Sequence, residues 1–139
     1  MSTLTVIEHW GAGTASAAVV GPRGRNEEHG PVDTPLPLAS VTKPLFAYAV
    51  LVAVEEGSLA LDQPAGPPGS TVRHLLSHSS GLGPDGGVFG PPGRSRIYSN
   101  AGFDELGALL QLQTGLAPAA YLHEAVLLPL SMRATDLRG

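Results

Sequence analysis

Hydrophobic and polar positions along the chain change their period near residue 40. Before it, short apolar runs at Leu4, Val6 and Ile7 and at Ala17 to Val20 are separated by Gly11-Ala12-Gly13 and closed by Pro22 and Gly24, so the first thirty residues read as β structure. Two strands in a hairpin are expected there, with a weaker third over Arg25 to His29. From Ser40 onward Leu45, Phe46, Ala49, Val50, Ala53 and Val54 recur at helical spacing until Gly57, a residue suited to the left-handed stop of a helix. This helix is apolar nearly all round and is expected to be central.

Further along, Thr71 can cap a short helix through His78, and Asn100 can cap one running to about Thr114 before Gly115. Pro118 can open a last helix that Pro129 closes. Strands first and helices afterwards predict an α+β fold rather than alternating βαβ units. At 139 residues the expectation is a single domain, with residues 1–30 supplying strands of a sheet and 31–139 a mostly helical part. Two stretches are rich in turn formers, Pro64 to Ser70 and Gly81 to Gly93. In the second, nine of thirteen residues are Gly or Pro, which predicts a long loop of the kind that often forms a functional rim.

Composition narrows the function. Hydrophobic residues make up 42% and charged residues 14%, and the net charge of -4 offers no basic surface for a phosphate backbone, so nucleic acid is not an expected partner. Cysteine is absent, which excludes disulfides and thiolate chemistry and leaves oxygen or nitrogen as any nucleophile. No apolar run reaches the length of a membrane span, and MSTLTVIEHW lacks the basic and apolar regions of an export signal. A cytoplasmic location is the expectation, although a mature exported form would read the same way.

The chemistry concentrates in LASVTKPLFAYAV, where Ser40 and Lys43 lie one helical turn apart and face the same side. Pro44 is tolerated only in a first turn, so Ser40 belongs at the amino-terminal end, where free N–H groups and the helix dipole favour negative charge on Oγ and on an attacked carbonyl. Lys43 is the only lysine; the other seven basic residues are arginines, which cannot accept a proton. On an apolar helix its charged form is disfavoured, and a neutral amine beside a hydroxyl is a workable base. The plainer alternative is a Ser N-cap with a lysine reaching solvent.

RIYSNAGFDELG supplies a second pair, Tyr98 and Asn100, in a Y-x-N arrangement where a loop meets a helix. Alternate residues of an extended stretch face one way, so a phenol able to move a proton and an amide able to hold a carbonyl can reach one cleft. Here too there is a structural alternative, a core-edge aromatic followed by a helix cap.

The ordered set S-V-T-K, T-V-R-H-L-L-S-H-S-S-G-L, P-P-G-R-S-R-I-Y-S-N and P-L-S-M resembles the serine β-lactamase-related family of penicillin-binding proteins, class C β-lactamases, D-alanyl-D-alanine carboxypeptidases and related esterases, over about Ser16 to Met132. The resemblance implies a β-lactamase/transpeptidase-like fold and an acyl-enzyme at Ser40. It implies that Lys43 deprotonates that serine, that Tyr98 shuttles the proton, and that Asn100 contacts the substrate. Small-molecule esters, amides or β-lactams are the implied substrates, with no cofactor and no metal. The family's third motif, K-T-G or H-T-G on a late strand, does not occur in these residues. The expectation is therefore that further strands complete the sheet, from more of the same chain, from a cleaved second piece, or from a partner chain or second copy. A catalytically silent binding or assembly module is the alternative function.

Other patterns are set aside. G-L-G-P-D-G from Gly81 follows a predicted helix and carries Pro84 where a nucleotide-binding helix would open. The G-x-S-x-G elbow of another hydrolase fold is missing. His74 and His78 have the spacing of a metal pair but no adjacent Glu, so packing or capping is expected of them.

Overall fold

A computed structural model of the chain describes residues 3–137 and divides it into two compact units, 1–37 and 38–139. In the first, a 3-10 helix over Thr3–His9 precedes a hairpin of β1 (Ala17–Gly21) and β2 (Gly24–His29). The antiparallel register pairs Ala17 with His29 and Gly21 with Gly24, with a bulge between Val19 and Val20. Gly24 has φ +103, so the two-residue turn at Pro22-Arg23 closes onto a residue that needs no Cβ. Two strands form as expected, but from different segments: Arg25 to His29, expected as the weaker third strand, is the partner of Ala17 to Gly21, and the stretch expected to be a strand at Leu4 to Ile7 is helical. The physical reason is spacing. Ile7 is the buried residue of that segment and Leu4 is half-buried, three residues apart as a 3-10 turn requires, while Val6 stays exposed. His29 Nε2 to Glu8 Oε1, at 2.8 Å, ties β2 to this helix.

The second unit is helical: α1 (Thr42–Glu55), α2 (Val72–Leu76), α3 (Asn100–Thr114) and α4 (Pro118–Leu122), the last widening into a π-type turn over His123–Leu127. A short 3-10 segment, Ala39–Val41, leads into α1, and Pro44 occupies the first turn, where its missing N–H costs nothing. The other end of α1 stops at Gly57, φ +78. Ser58 N–H donates to Ala53 O at 2.9 Å and Gly57 N–H to Val54 O at 3.1 Å, a Schellman closure. Gly115, φ +74, ends α3 in the left-handed conformation, and Pro118 opens α4.

The core of this unit joins Phe46, Ala49, Val50 and Ala53 of α1 to Val72 and Leu75 of α2, Leu106 and Leu110 of α3, and Tyr121, Leu122, Val126 and Leu127 after it. Gly107 of α3 faces Pro118 and Phe46, and a Cβ there would make ordinary contacts with them at 3.5 and 3.9 Å. Two expectations are refined. The helix opened by Thr71 ends at Leu76 rather than His78, which takes φ +57 and turns the chain. α1 buries one face, while Tyr48 and Leu51 remain exposed on the other.

The Gly- and Pro-rich loop from Gly81 is pinned at both ends and in its middle. Phe89 N–H donates to Gly81 O at 2.9 Å, Gly83 N–H to Gly87 O at 2.7 Å and Gly93 N–H to Ser79 O at 2.8 Å. Gly81 sits at φ +87, and a Cβ would overlap the Gly90 carbonyl oxygen, so this position admits glycine alone without strain.

Candidate active site

Two segments far apart in sequence meet at the start of α1. Ser40 stands exposed in the 3-10 turn ahead of the helix, directly after Ala39, whose φ of +46 holds a non-glycine residue in the left-handed region. Such a conformation costs about 1–2 kcal/mol and persists only where neighbours enforce it. It presents Ser40 just ahead of the amino-terminal end of α1, the positive end of the helix dipole.

Tyr98 comes from the extended run ahead of α3 and places Oη 2.5 Å from Ser40 Oγ. Lys43, half-buried one turn beyond Ser40, donates from Nζ to Asn100 Oδ1 at 2.7 Å and lies 4.8 Å from the centre of the Tyr98 ring. All four residues singled out in the sequence thus gather in one cluster. Their pairing has its own logic: the phenol meets the Ser40 hydroxyl, while the amine meets the amide and the phenol. An ammonium or amine hydrogen can only be donated to the carbonyl oxygen of an amide, so the Asn100 Nδ2 hydrogens are the ones left unengaged by Lys43.

The electrostatics follow from these contacts. Hydrogen bonding from the Lys43 amine, then from the Ser40 hydroxyl, together with the Lys43 charge, holds the Tyr98 phenol below its ordinary value against a smaller opposing effect of burial. A phenol displaced in that direction is a better proton acceptor near neutral pH.

Beneath Tyr98 lies support that the sequence did not point to. His78, buried, receives the Ser99 N–H on Nδ1 at 3.1 Å, and its ring packs against Tyr98 at 4.7 Å and Phe103 at 5.2 Å. Ser99 rather than Asn100 is the cap of α3: its Oγ accepts from Gly102 N–H at 2.9 Å and donates to Gly83 O at 2.7 Å. Asn100, the first helical residue, is thereby released to point at Lys43. His74 hydrogen-bonds Thr71 Oγ1 at 3.1 Å, and no group of side chains able to hold a metal occurs among the described residues. Beside Lys43 and Asn100 an open recess of about 510 Å³ is walled by Phe46, Phe103, Pro118 and Leu137.

Residues 5–139 match the family model described as Beta-lactamase. The chain belongs to the Beta-lactamase family. Its helices and hairpin overlay a beta-lactamase from Mycobacterium bovis with a TM-score of 0.95 at 50% identity, over 99% of this chain and 51% of that one. The fold is therefore the β-lactamase/transpeptidase-like one expected from the four sequence stretches. Esterase EstB of Burkholderia gladioli is 34% identical over 73% of this chain and 38% of its own length. A penicillin-binding protein of Bacillus subtilis is 28% identical over 70% of this chain and 29% of its length. The chain thus spans about half the length of its Beta-lactamase structural counterpart and less of these two relatives. No helix among the described residues is long and apolar enough to cross a membrane.

Proposed function

We propose that this chain carries the nucleophilic half of a serine hydrolase that forms an acyl-enzyme at Ser40 with a small ester, amide or β-lactam. The observation that carries the reading is the 2.5 Å contact between Tyr98 Oη and Ser40 Oγ, with Lys43 bonded into the same cluster through Asn100.

In the first step the Ser40 proton passes to the Tyr98 phenolate as Oγ bonds the substrate carbonyl carbon. Negative charge then develops on the carbonyl oxygen at the amino-terminal end of α1, where the positive end of the helix dipole stabilises it. Tyr98 returns the proton to the departing alcohol or amine, and the carbon–heteroatom bond breaks. A water molecule then loses its proton to the same phenolate and bonds the acyl carbon, and Tyr98 returns that proton to Ser40 Oγ as the ester bond breaks and the acid leaves. Lys43 keeps the phenol ionisable and holds Asn100, whose Nδ2 hydrogens can bond the substrate amide or ester carbonyl. The recess beside Lys43 and Asn100 gives an apolar substituent a place between Phe46 and Phe103.

The test is incubation of the chain with a fluorophosphonate or a fluorescent penicillin, followed by mass spectrometry. Adduct on the peptide bearing Ser40, absent in Ser40→Ala, is expected; adduct elsewhere, or none on the protein in its full-length form, ends the proposal.

A second reading is that the chain works as an assembly module completed by another chain. The exposed Tyr48 and Leu51 on α1, with Val41 just ahead of it, favour it, since side chains of this kind are commonly covered in an assembled protein. Light scattering decides: a stable dimer or hetero-oligomer with unaltered behaviour in Ser40→Ala supports the module, and a monomer labelled at Ser40 excludes it.

A further inference from the structure

We infer that His78 is a positioning residue for the hydrolase, a neutral acceptor and ring platform that fixes the Tyr98 phenol over Ser40. This inference rests on the acylation chemistry proposed above.

Two hydrogen bonds and one ring contact from a single residue clamp three consecutive residues of the loop that delivers the phenol. His78 O accepts the Ile97 N–H at 2.8 Å, the His78 ring packs against the Tyr98 ring at 4.7 Å and 34°, and Nδ1 accepts the Ser99 N–H at 3.1 Å. Tyr98 itself is half-exposed and belongs to an irregular segment, so no helix or strand ladder sets its direction. Without the clamp the phenol has two free rotors and solvent on one side. With it, the backbone on both flanks and one face of the ring are held.

The geometry also fixes the proton. An N–H donor at 3.1 Å requires a lone pair on Nδ1, so the hydrogen of the neutral ring sits on Nε2. Burial, then the charges of Arg96 and Lys43, keep His78 below its ordinary value, in keeping with a ring that accepts rather than donates at Nδ1. The backbone contributes as well. His78 has φ +57, a conformation that His, Asn and Asp tolerate better than most side chains, and it turns the chain so that ring and carbonyl both face the 97–99 segment.

Two substitutions separate the parts. His78→Asn sets an amide oxygen close to the place of Nδ1 and tolerates the left-handed backbone, but removes the ring. His78→Phe keeps a ring against Tyr98 and Phe103 and removes the acceptor. In the full chain, labelling of Ser40 by a fluorophosphonate forms the Oγ–P bond, expels fluoride and passes the serine proton to Tyr98, so its rate reports the position of the phenol. His78→Phe is expected to slow labelling by roughly ten- to a hundredfold, because small misplacements of a reacting group are that costly. His78→Asn is expected to recover part of that loss.

The ionisation of Tyr98, followed by NMR with carbon-13 at the tyrosine Cζ, is expected to move upward in His78→Phe as the phenol leaves Lys43 and Ser40. Wild type labelled at Ser40, with His78→Phe folded, equally fast and unchanged in its Tyr98 titration, overturns the inference. Failure of wild type itself to be labelled overturns the acylation reading instead, and the Tyr98 titration then still decides for or against the clamp. Should His78→Phe not fold, His78→Asn carries the test: labelling as slow as in Tyr98→Phe, with the Tyr98 titration back at the ordinary phenol value, would show that the acceptor does nothing, and overturn it.

Discussion

Tyr121→Phe removes one oxygen from the helical unit. Tyr121, 6% exposed, donates from Oη to Glu56 Oε2 at 2.6 Å and so ties α4 to the carboxyl end of α1, the helix that presents Ser40. A hydrogen bond to a charged group contributes about 1.5–3 kcal/mol, and because Glu56 is exposed and regains water when the hydroxyl is lost, the lower end applies, about 1.5 kcal/mol. In a chain of this length that corresponds to roughly 4–8 °C in Tm.

The pH dependence has a definite sign. Burial, then the hydrogen bond and charge of Glu56, push the Tyr121 phenol up to about 12 from 10.0. A raised folded value means that the contribution is complete below the unfolded value near 10 and is lost as pH rises through about 12. Urea or thermal unfolding of wild type and Tyr121→Phe should show a constant gap in stability from neutral pH to about 9 and a shrinking one above about 10. Equal stability at neutral pH, or a gap that widens with alkali, would refute the reasoning.

Three further outcomes are expected. Lys43→Met should raise the Tyr98 phenol toward its ordinary value and slow Ser40 labelling at neutral pH, with partial recovery as pH rises, because the largest influence lowering that phenol is the Lys43 hydrogen bond; labelling unaffected by Lys43→Met would contradict this. Leu106→Ala, in a position fully shielded from solvent, should cost about 2–5 kcal/mol of unfolding free energy by chemical denaturation, and a loss under about 1 kcal/mol would show a core that collapses around the gap. Gly81→Ala, at φ +87 with the Gly90 carbonyl oxygen in the path of its Cβ, should destabilise by about 1–3 kcal/mol and slow labelling through displacement of the loop; a neutral result would mean the loop shifts freely.

Much of the helical unit was legible because its signals are local. Pro44 in a first turn, Gly57 and Gly115 at left-handed stops and Pro118 at a helix opening each act on their own backbone, and the structure uses each as expected. Spacing placed Ser40 with Lys43 and Tyr98 with Asn100, and the family resemblance implied that the two pairs meet, as they do. What escaped depends on partners distant in the chain. Leu4, Val6 and Ile7 fit a strand or a 3-10 turn equally well, and only burial of Ile7 decides. Ser99 and Asn100 are both good caps, and the choice falls to Ser99 because Gly83 O is there to accept its hydroxyl. The spacing of His78 from His74 suggested packing or capping but not its partner, because its acceptor serves a backbone N–H 21 residues away.

The two contacts that assemble the site bridge 57 and 58 residues. Such distant pairings form late, after the intervening chain has collapsed and its loop-closure entropy has been met. On the proposed acylation chemistry, an emerging or locally unfolded polypeptide bears an ordinary, unreactive serine, and nucleophilicity arises only on docking of α1 with α3. Reactivity toward an electrophilic probe thus doubles as a reporter of completed folding.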